Sequence, residues 1–286
     1  MRLAGLLLAL SMAPAGAAPD ATARIVSTAP SLTEILFALG LGERVVGATT
    51  YCNYPEEARR VPRIGTYIQP NLETIVSLRP DLVVIESNPI RLRERLEGLG
   101  LKVLELDQRT VSDVFGAIER IGQASGAGDR ARALEVRIRS ELEEVGRRAA
   151  GRAKRRMAFI VGRTPGALEG LIAVGSASYL NELIRLAGGE NIFGAVSVPY
   201  PKVSLEEILA RDPEVIIDMG EMGRASGMSE AEARRVVELW NRYASITAVR
   251  ERRVWAVTAD LYVVPGPRMA QAARELARML HPEAER

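Results

Sequence analysis

Two glutamates, Glu73 and Glu206, stand at matching places in two copies of one phrase. The stretch "NLETIVSLRPDLVV" (71–84) returns 133 positions later as "SLEEILARDPEVII" (204–217). An acid in the first turn of a helix is favoured by the helix dipole, which is one explanation for both residues. The other is docking, because two carboxylates at a fixed separation suit a symmetric partner that carries two basic sites.

Tyrosines gather where a ligand could be held. The chain has seven tyrosines, and five of them follow predicted strands or precede the two copies: Tyr51, Tyr54, Tyr67, Tyr200 and Tyr262. Tyr67 and Tyr200 each lie six residues before the glutamate of their copy. Tyrosine is common in loops. Phenol rings that face each other across a cleft would, however, suit a large, rigid and partly polar ligand.

The chain has few of the side chains that metal sites, catalytic sites and disulfides require. The chain has one histidine, His281, which we expect to be a solvated side chain near the C-terminus, and one cysteine, Cys52, which we expect to be a small buried one. A zinc or manganese site, a catalytic residue activated by histidine and an internal disulfide are therefore not expected. The net charge of +2 gives no reason to expect a nucleic-acid surface. The sequence predicts neither an enzyme nor a resident cofactor.

A glycine-rich stretch, "GRTPGALEG" (162–170), lacks the lysine and the spacing of nucleotide-binding loops. We interpret it as a pocket loop. Within it, Arg163 is either a contact to an amide or carboxylate of a ligand or an ordinary surface arginine.

The helices and strands that must position these residues are predicted in two similar sets. Each copy of the phrase predicts a polar N-cap, a short helix, a proline stop and a buried strand. A second echo relates residues 31–47 to residues 178–194, and in the first of these Ser31 and Glu34 predict a capping box. Strands alternate with helices in both halves, which favours parallel sheets covered on both faces. The sequence predicts an α/β protein with two similar Rossmann-like lobes and a ligand cleft between them.

The predicted boundaries are a leader at 1–18, an N-terminal lobe at 24–128, a connecting helix at 129–154 and a C-terminal lobe at 155–286. The leader has one arginine, an apolar stretch and small residues, which predicts export and cleavage near Ala17-Ala18. The connecting helix has an apolar stripe formed by Ala133, Val136, Ile138, Leu142 and Val145. Because a single helix resists bending, we expect the lobes to close only slightly on a ligand.

Ligands of open parallel sheets bind beyond the carboxyl ends of the strands. The candidate ligand-binding residues therefore follow the predicted strands. They include Tyr51 and Tyr54, Glu86, Arg163, and Asp260 with Leu261 and Tyr262.

Longer stretches resemble a known family, the helical-backbone (class III) substrate-binding proteins of ABC importers, and within it the branch that binds cobalamin (vitamin B12). The resemblance is carried by "TAPSLTEILFALG", "GATTYCNYPEEA", "IGTYIQPNLETIVSLRPDLVV" and "TADLYVVPGPRM". It implies a periplasmic protein, expected to be a monomer, that delivers a corrinoid to the permease dimer of an ABC importer. It implies no nucleic-acid partner.

The resemblance also implies roles for single residues. Tyr51, Tyr67 and Tyr200 match aromatic positions of the pocket, and Glu73 and Glu206 match acids that pair with arginines of the permease. The last pocket loop matches Asp260, Leu261, Tyr262, Val263 and Val264. Sister branches bind haem or ferric siderophores, and this chain has Tyr67, Glu86, Tyr200 and Leu261 where cobalamin binders often have aromatic residues, commonly tryptophan. Haem binders tend to have a tyrosine where this chain has Thr66, so a haem or siderophore ligand is the alternative.

Overall fold

The computed structural model describes residues 22–87, 91–221 and 228–285. The predicted leader, 1–18, lies outside the described residues. The first lobe contains a sheet of four parallel strands in the order β2-β1-β3-β4. Its strands are β1 (Ile25–Ser27), β2 (Val45–Ala48), β3 (Leu82–Glu86) and β4 (Val103–Leu106).

Helices cover both faces of this sheet. They are α1 (Pro30–Ala38), α2 (Leu72–Ser77), α3 (Leu92–Glu97) and α4 (Val111–Ser125), with 3-10 turns at Gly42–Arg44 and Glu56–Arg60. The predicted capping box of Ser31 and Glu34 is wrong. The helix begins one residue earlier at Pro30, a residue suited to the first helical position, and the N-cap Ala29 offers no side-chain bond. Ser31 and Glu34 are buried within the helix and contact other segments instead.

The second lobe is built on a six-stranded mixed sheet. Its strands are β5 (Arg155–Gly162), β6 (Leu171–Ala173), β7 (Gly189–Asn191), β8 (Lys202–Val203), β9 (Val215–Asp218) and β10 (Val254–Ala256). The parallel core expected from the sequence is present, but β6 pairs antiparallel with β5 and with β8. The glycine-rich loop reverses the chain between β5 and β6. Gly166 and Gly170 there have φ values of +71° and +57°, which only glycine adopts readily.

Helix α5 (Gly128–Ala149) connects the lobes. The helices of the second lobe are α6 (Tyr179–Leu186), α7 (Leu205–Arg211), α8 (Glu230–Asn241), α9 (Thr247–Arg250), α10 (Ala259–Val263) and α11 (Met269–Leu280), followed by a 3-10 turn at Pro282–Glu285. The connecting helix α5 packs against α4 of the first lobe and against α6 and α11 of the second. Two residues of its predicted apolar stripe are exposed, Ala133 and Val136. Ala131 and Leu134 are buried in their place, because these positions continue the three- and four-residue spacing to Ile138.

The two lobes repeat one arrangement. The order β2-β1-β3-β4 of the first lobe has a counterpart in β7-β5-β9-β10 of the second, and every pair in both sets is parallel. Strand β5 is long enough to pair with β7 through its first residues and with β6 through its last. The antiparallel strands are therefore an addition to a duplicated parallel unit.

The echoed phrases fold alike in detail. Asn71 and Ser204 each cap their helix with a side-chain oxygen. A non-glycine residue with positive φ follows each helix immediately before the proline, Arg79 at 46° after α2 and Asp212 at 41° after α7. Because Asn and Ser are effective caps and proline cannot continue a helix, the local sequence sets both ends of each helix.

Within the described part of the chain, the buried apolar side chains form three clusters. Two smaller clusters lie on the outer faces of the two sheets, one on each. The largest cluster, which we call the central core, runs between the lobes through α4, α5 and α11. The lobes thus share a continuous core on one side. This leaves the opposite side, at the carboxyl ends of the strands, as the place where they can face each other across open space.

Candidate functional site

A cavity of about 280 Å³ lies between the lobes at the carboxyl ends of the parallel strands. We call it the cleft. It is lined from the first lobe by Pro30, Ser31, Glu86, Gln108 and Arg109, and from the second by Ala177, Ser178, Tyr179, Pro199, Tyr200, Val263, Val264 and Pro265. Both lobes therefore contribute to one site, at the position expected for a ligand of parallel α/β sheets.

Hydrogen bonds cross the floor of the cleft. The Ser31 hydroxyl donates to Oε1 of Gln108, and Nε2 of Gln108 donates to the Pro265 carbonyl at 3.0 Å. Gln108 is nearly fully buried. One amide side chain thus joins α1 and the segment after β4 to the second lobe.

Glu86, at the end of β3, is a carboxylate with little access to water. Burial and, to a smaller degree, the charge of Asp107 raise its pKa to about 7. Burial and Glu86 together raise the pKa of Tyr67 to about 12. Tyr200, on the opposite wall, is 41% exposed as a residue, but desolvation of its hydroxyl raises the pKa of this group. Ser178 donates a hydrogen bond to that hydroxyl at 3.3 Å, which acts in the opposite direction. Near neutral pH the cleft thus offers the Tyr200 phenol as a donor and, in Glu86, a carboxyl group that can be protonated or ionised.

Four of the eleven predicted ligand-binding residues line the cleft: Glu86, Tyr200, Val263 and Val264. Tyr67 is near enough for the charge of Glu86 to act on it, and its half-buried ring packs against the central core. Asp260 and Leu261 belong to the short helix α10, where the sequence predicts a loop. Asp260 is exposed, and Leu261 packs against the core.

Two predicted contacts are directed away from the cleft. The ring of Tyr262 is buried in the core, with its centroid 5.5 Å from that of Phe159. Arg163 is neither a surface residue nor available to a ligand. Its Nε donates to Asp218 at 3.0 Å and its Nη1 to two loop carbonyls, and both side chains of this ion pair are almost completely buried. Asp218 also accepts a hydrogen bond from Trp240.

Tyr51 and Tyr54 lie on the loop after β2, each 47% exposed. Neither is among the residues that line the cleft. Tyr54 stacks on a guanidinium, with Cζ of Arg268 3.9 Å from the ring centroid. Both rings have enough free surface to contact a ligand that extends above the cavity.

The segments after β1 and β4 are not among the predicted site residues, yet they supply Pro30, Ser31, Gln108 and Arg109 to the cleft. The rule that ligands bind beyond the ends of strands would have included them had it been applied to every strand. Ser178, whose counterpart across the second echo is Ser31, is also absent from the predicted site residues.

The histidine and the cysteine are both buried in the interior of the protein. His281 is buried and its Nδ1 lies 3.4 Å from a carboxylate oxygen of Glu283, so the expectation of a solvated histidine is wrong. Cys52 is buried beside the hydroxyls of Thr33 and Thr49, each 3.1 Å from its sulfur. The described residues hold no group of three or more His, Cys, Asp or Glu side chains that could bind a metal ion. No helix in the described ranges has the length and apolar character needed to cross a membrane.

The two echoed acids are both on the surface. Glu73 and Glu206 are exposed residues in the first turns of α2 and α7. The backbone N–H of Glu206 and the Ser204 hydroxyl lower the pKa of Glu206. This carboxylate is therefore ionised at neutral pH and can attract a cation from solution.

Comparison with known proteins connects this architecture to binding proteins. Residues 25–261 match a family model described as periplasmic binding protein. The vitamin B12-binding protein of Salmonella typhimurium is 30% identical over 262 residues, which cover 91% of each chain. The crystal structure of the periplasmic vitamin B12 binding protein BtuF of Vibrio cholerae superposes with a TM-score of 0.76 at 28% identity, covering 92% of this chain and 98% of that one. The periplasmic heme-binding protein RhuT of Roseiflexus sp. RS-1 gives a TM-score of 0.77 at 25% identity, covering 92% and 99%.

Proposed function

The chain belongs to the periplasmic binding protein family, and from this premise we propose that it captures cobalamin or a related corrinoid in the cleft and delivers it to an ABC importer. Members of such a family bind solutes for transport, so the chain is not an enzyme. The observation that carries the proposal is a cleft lined by both lobes in a chain whose relatives over nine-tenths of its length are vitamin B12-binding proteins.

The chemistry of the cleft supports a ligand of this class, although the cavity encloses only part of one. Its volume of about 280 Å³ is at the low end of ligand sites and is smaller than a corrinoid. We propose that the cavity takes one edge of the ligand while the rings of Tyr51, Tyr54 and Tyr67 contact the part that extends above it. Phenol rings provide flat apolar contact, and a corrinoid carries amide groups that Glu86 and Tyr200 can hydrogen-bond.

Haem is the second candidate, because a periplasmic heme-binding protein superposes equally well. Where haem binders tend to have a ligating tyrosine, this chain has Thr66, and Tyr67 is one position later. The Tyr67 ring packs against the core. The residues present therefore favour a corrinoid.

Titration of the purified protein tests the ligand. Cyanocobalamin should bind at one molecule per chain with measurable heat, and haemin should give no sharp Soret shift under the same conditions. Saturable haemin binding without cyanocobalamin binding would overturn the proposal. Tyr200→Ala should weaken cyanocobalamin binding by at least tenfold, whereas Tyr243→Ala, which removes a tyrosine outside the cleft on the segment after α8, should leave binding unchanged.

We propose that Glu73 and Glu206 dock the protein onto a permease dimer. Their exposure, their equivalent places in the two lobes and their negative charge support this role. Combining Glu73→Ala with Glu206→Ala should weaken association with the purified permease and leave cyanocobalamin affinity near that of the wild type. Glu230→Ala provides a matched control, since Glu230 is another exposed acid in the first turn of a helix. Equal losses in docking and ligand binding would contradict this role.

The remaining assignments are proposals of the same kind. We propose that the protein is a periplasmic monomer, that residues 1–18 are a leader removed near Ala17-Ala18, and that the lobes comprise 24–128 and 155–286. Mass spectrometry of the protein secreted by a bacterial host would give the cleavage site, and sedimentation would give the oligomeric state.

A further inference from the structure

A buried ion pair joins the two lobes beside the cleft. Nε of Arg268 donates to Oε2 of Glu34 at 2.9 Å, and Nη2 donates to Oε1, so the guanidinium contacts both oxygens of the carboxylate. The Glu34 side chain is 3% exposed and that of Arg268 16%. Glu34 is on α1 of the first lobe, and Arg268 immediately precedes α11 of the second.

The same guanidinium holds an aromatic ring. Cζ of Arg268 lies 3.9 Å from the centroid of the Tyr54 ring. Nη2 also approaches the carbonyl of Asp260 at 3.4 Å. Arg268 therefore contacts α1, the loop after β2 and α10, and two of these three segments carry predicted ligand contacts. We call Glu34, Arg268 and Tyr54 the clasp.

A contribution to stability does not by itself explain the clasp. A buried ion pair costs desolvation energy and is often no more stabilising than apolar residues of the same size, whereas its directional bonds select one geometry. A planar guanidinium with two parallel hydrogen bonds has little rotational freedom, so the ring stacked on it is held in one orientation.

We propose that Arg268 is a positioning residue for ligand binding, which sets the spacing of the lobes through Glu34 and orients the Tyr54 ring before the ligand arrives. This inference rests on the proposed function. A site ordered in advance loses less conformational entropy when it binds, so the loss of the clasp should reduce affinity.

Removing the clasp need not unfold the protein. Gln108 bridges Ser31 to the Pro265 carbonyl three residues before Arg268 and is a second link between the same two segments. The central core also runs through both lobes. The suitable variant combines Glu34→Met with Arg268→Met, because it leaves neither charge buried without its partner.

Cyanocobalamin titration and hydrogen exchange on the ligand-free protein together test the inference. The paired variant should bind about tenfold or more weakly, and the amides of residues 51–60 should exchange faster than in the wild type. A matched control is Arg274→Met, which breaks the 2.8 Å ion pair between Arg274 and Glu141 on the far side of α11. This control should bind like the wild type.

A positioning role predicts one further result that a purely structural role does not predict. Because Arg268 acts through Tyr54, Tyr54→Leu alone should lower affinity, and adding it to the paired variant should lower affinity by less than a further factor of about two. Independent losses that multiply would overturn the inference. So would a paired variant whose affinity stays within twofold of the wild type. If the wild-type protein does not bind cyanocobalamin, the proposed function fails instead, and faster exchange of residues 51–60 in the paired variant still reports whether the clasp orders that loop.

Discussion

The free energy of unfolding should fall as the pH rises from about 5 to about 8, and Glu86 should account for much of the change. In the folded protein burial raises the pKa of Glu86 from 4.5 to about 7. Between these two values the unfolded chain has lost the proton and the folded protein still holds it. Because the folded state then binds more protons than the unfolded state, raising the pH favours unfolding.

The size of the effect follows from the two pKa values. At about 1.4 kcal/mol for each pH unit, moving from 4.5 to about 7 gives about 3–4 kcal/mol as an upper limit. Glu86 keeps some contact with water in the cleft, so about 2 kcal/mol is expected between pH 5 and pH 8. Among the groups that interact with it, Asp107 adds to the effect of burial on its pKa, and the charge of Glu86 adds to the effect of burial in raising the pKa of Tyr67 and of Tyr200.

Urea unfolding of the wild type and of Glu86→Gln at pH 5 and pH 8 measures this contribution. The variant cannot titrate at residue 86, so its loss between the two pH values should be smaller than that of the wild type by about 2 kcal/mol. Glu238→Gln removes an exposed acid on α8 and controls for the change in net charge. Parallel pH dependence in the wild type and Glu86→Gln would refute the account of Glu86 as a carboxyl with a raised pKa.

Three substitutions test the packing that supports the site. Asp218→Asn should lower the free energy of unfolding by about 3–5 kcal/mol, because the buried Arg163 would lose its counter-charge. A loss below about 1 kcal/mol in urea unfolding would contradict this. Gly188→Ala should lower the melting temperature by several degrees, since φ is +85° and the added Cβ would lie 2.6 Å from Nε2 of His281. An unchanged calorimetric melting temperature would show that this site relaxes freely. Ser204→Ala should cost about 1 kcal/mol through loss of the cap of α7, and urea unfolding with no loss would show that the cap is dispensable.

The α/β class and the duplicated parallel unit follow from local sequence. The caps at Asn71 and Ser204, and the prolines that end both helices, act within a few residues. Such signals can be identified in the chain before it folds. The buried stripe of α5 agrees with the prediction at Ile138, Leu142 and Val145 and differs near its start, where Ala131 and Leu134 are buried instead of Ala133 and Val136. Several apolar residues compete there, and only packing against α4 and α11 decides which are covered.

The antiparallel strands β6 and β8 were not predicted. They are short, three and two residues, and a strand of that length has too few side chains to show an alternating pattern. The pairing of β6 with β5, and with it the pairing of β8 with β6, depends on the path of the glycine-rich loop.

The amino-acid sequence by itself determined the repeated helix and strand phrases, the family and the position of the candidate cleft at the carboxyl ends of the strands. The tertiary structure decided where individual side chains go. It directed Arg163 and Tyr262 into the interior, and it paired Glu34 with Arg268, which lies 234 positions away. The reason is physical: helix caps and periodicity are short-range properties, whereas a buried charge finds its partner only when distant segments have packed together.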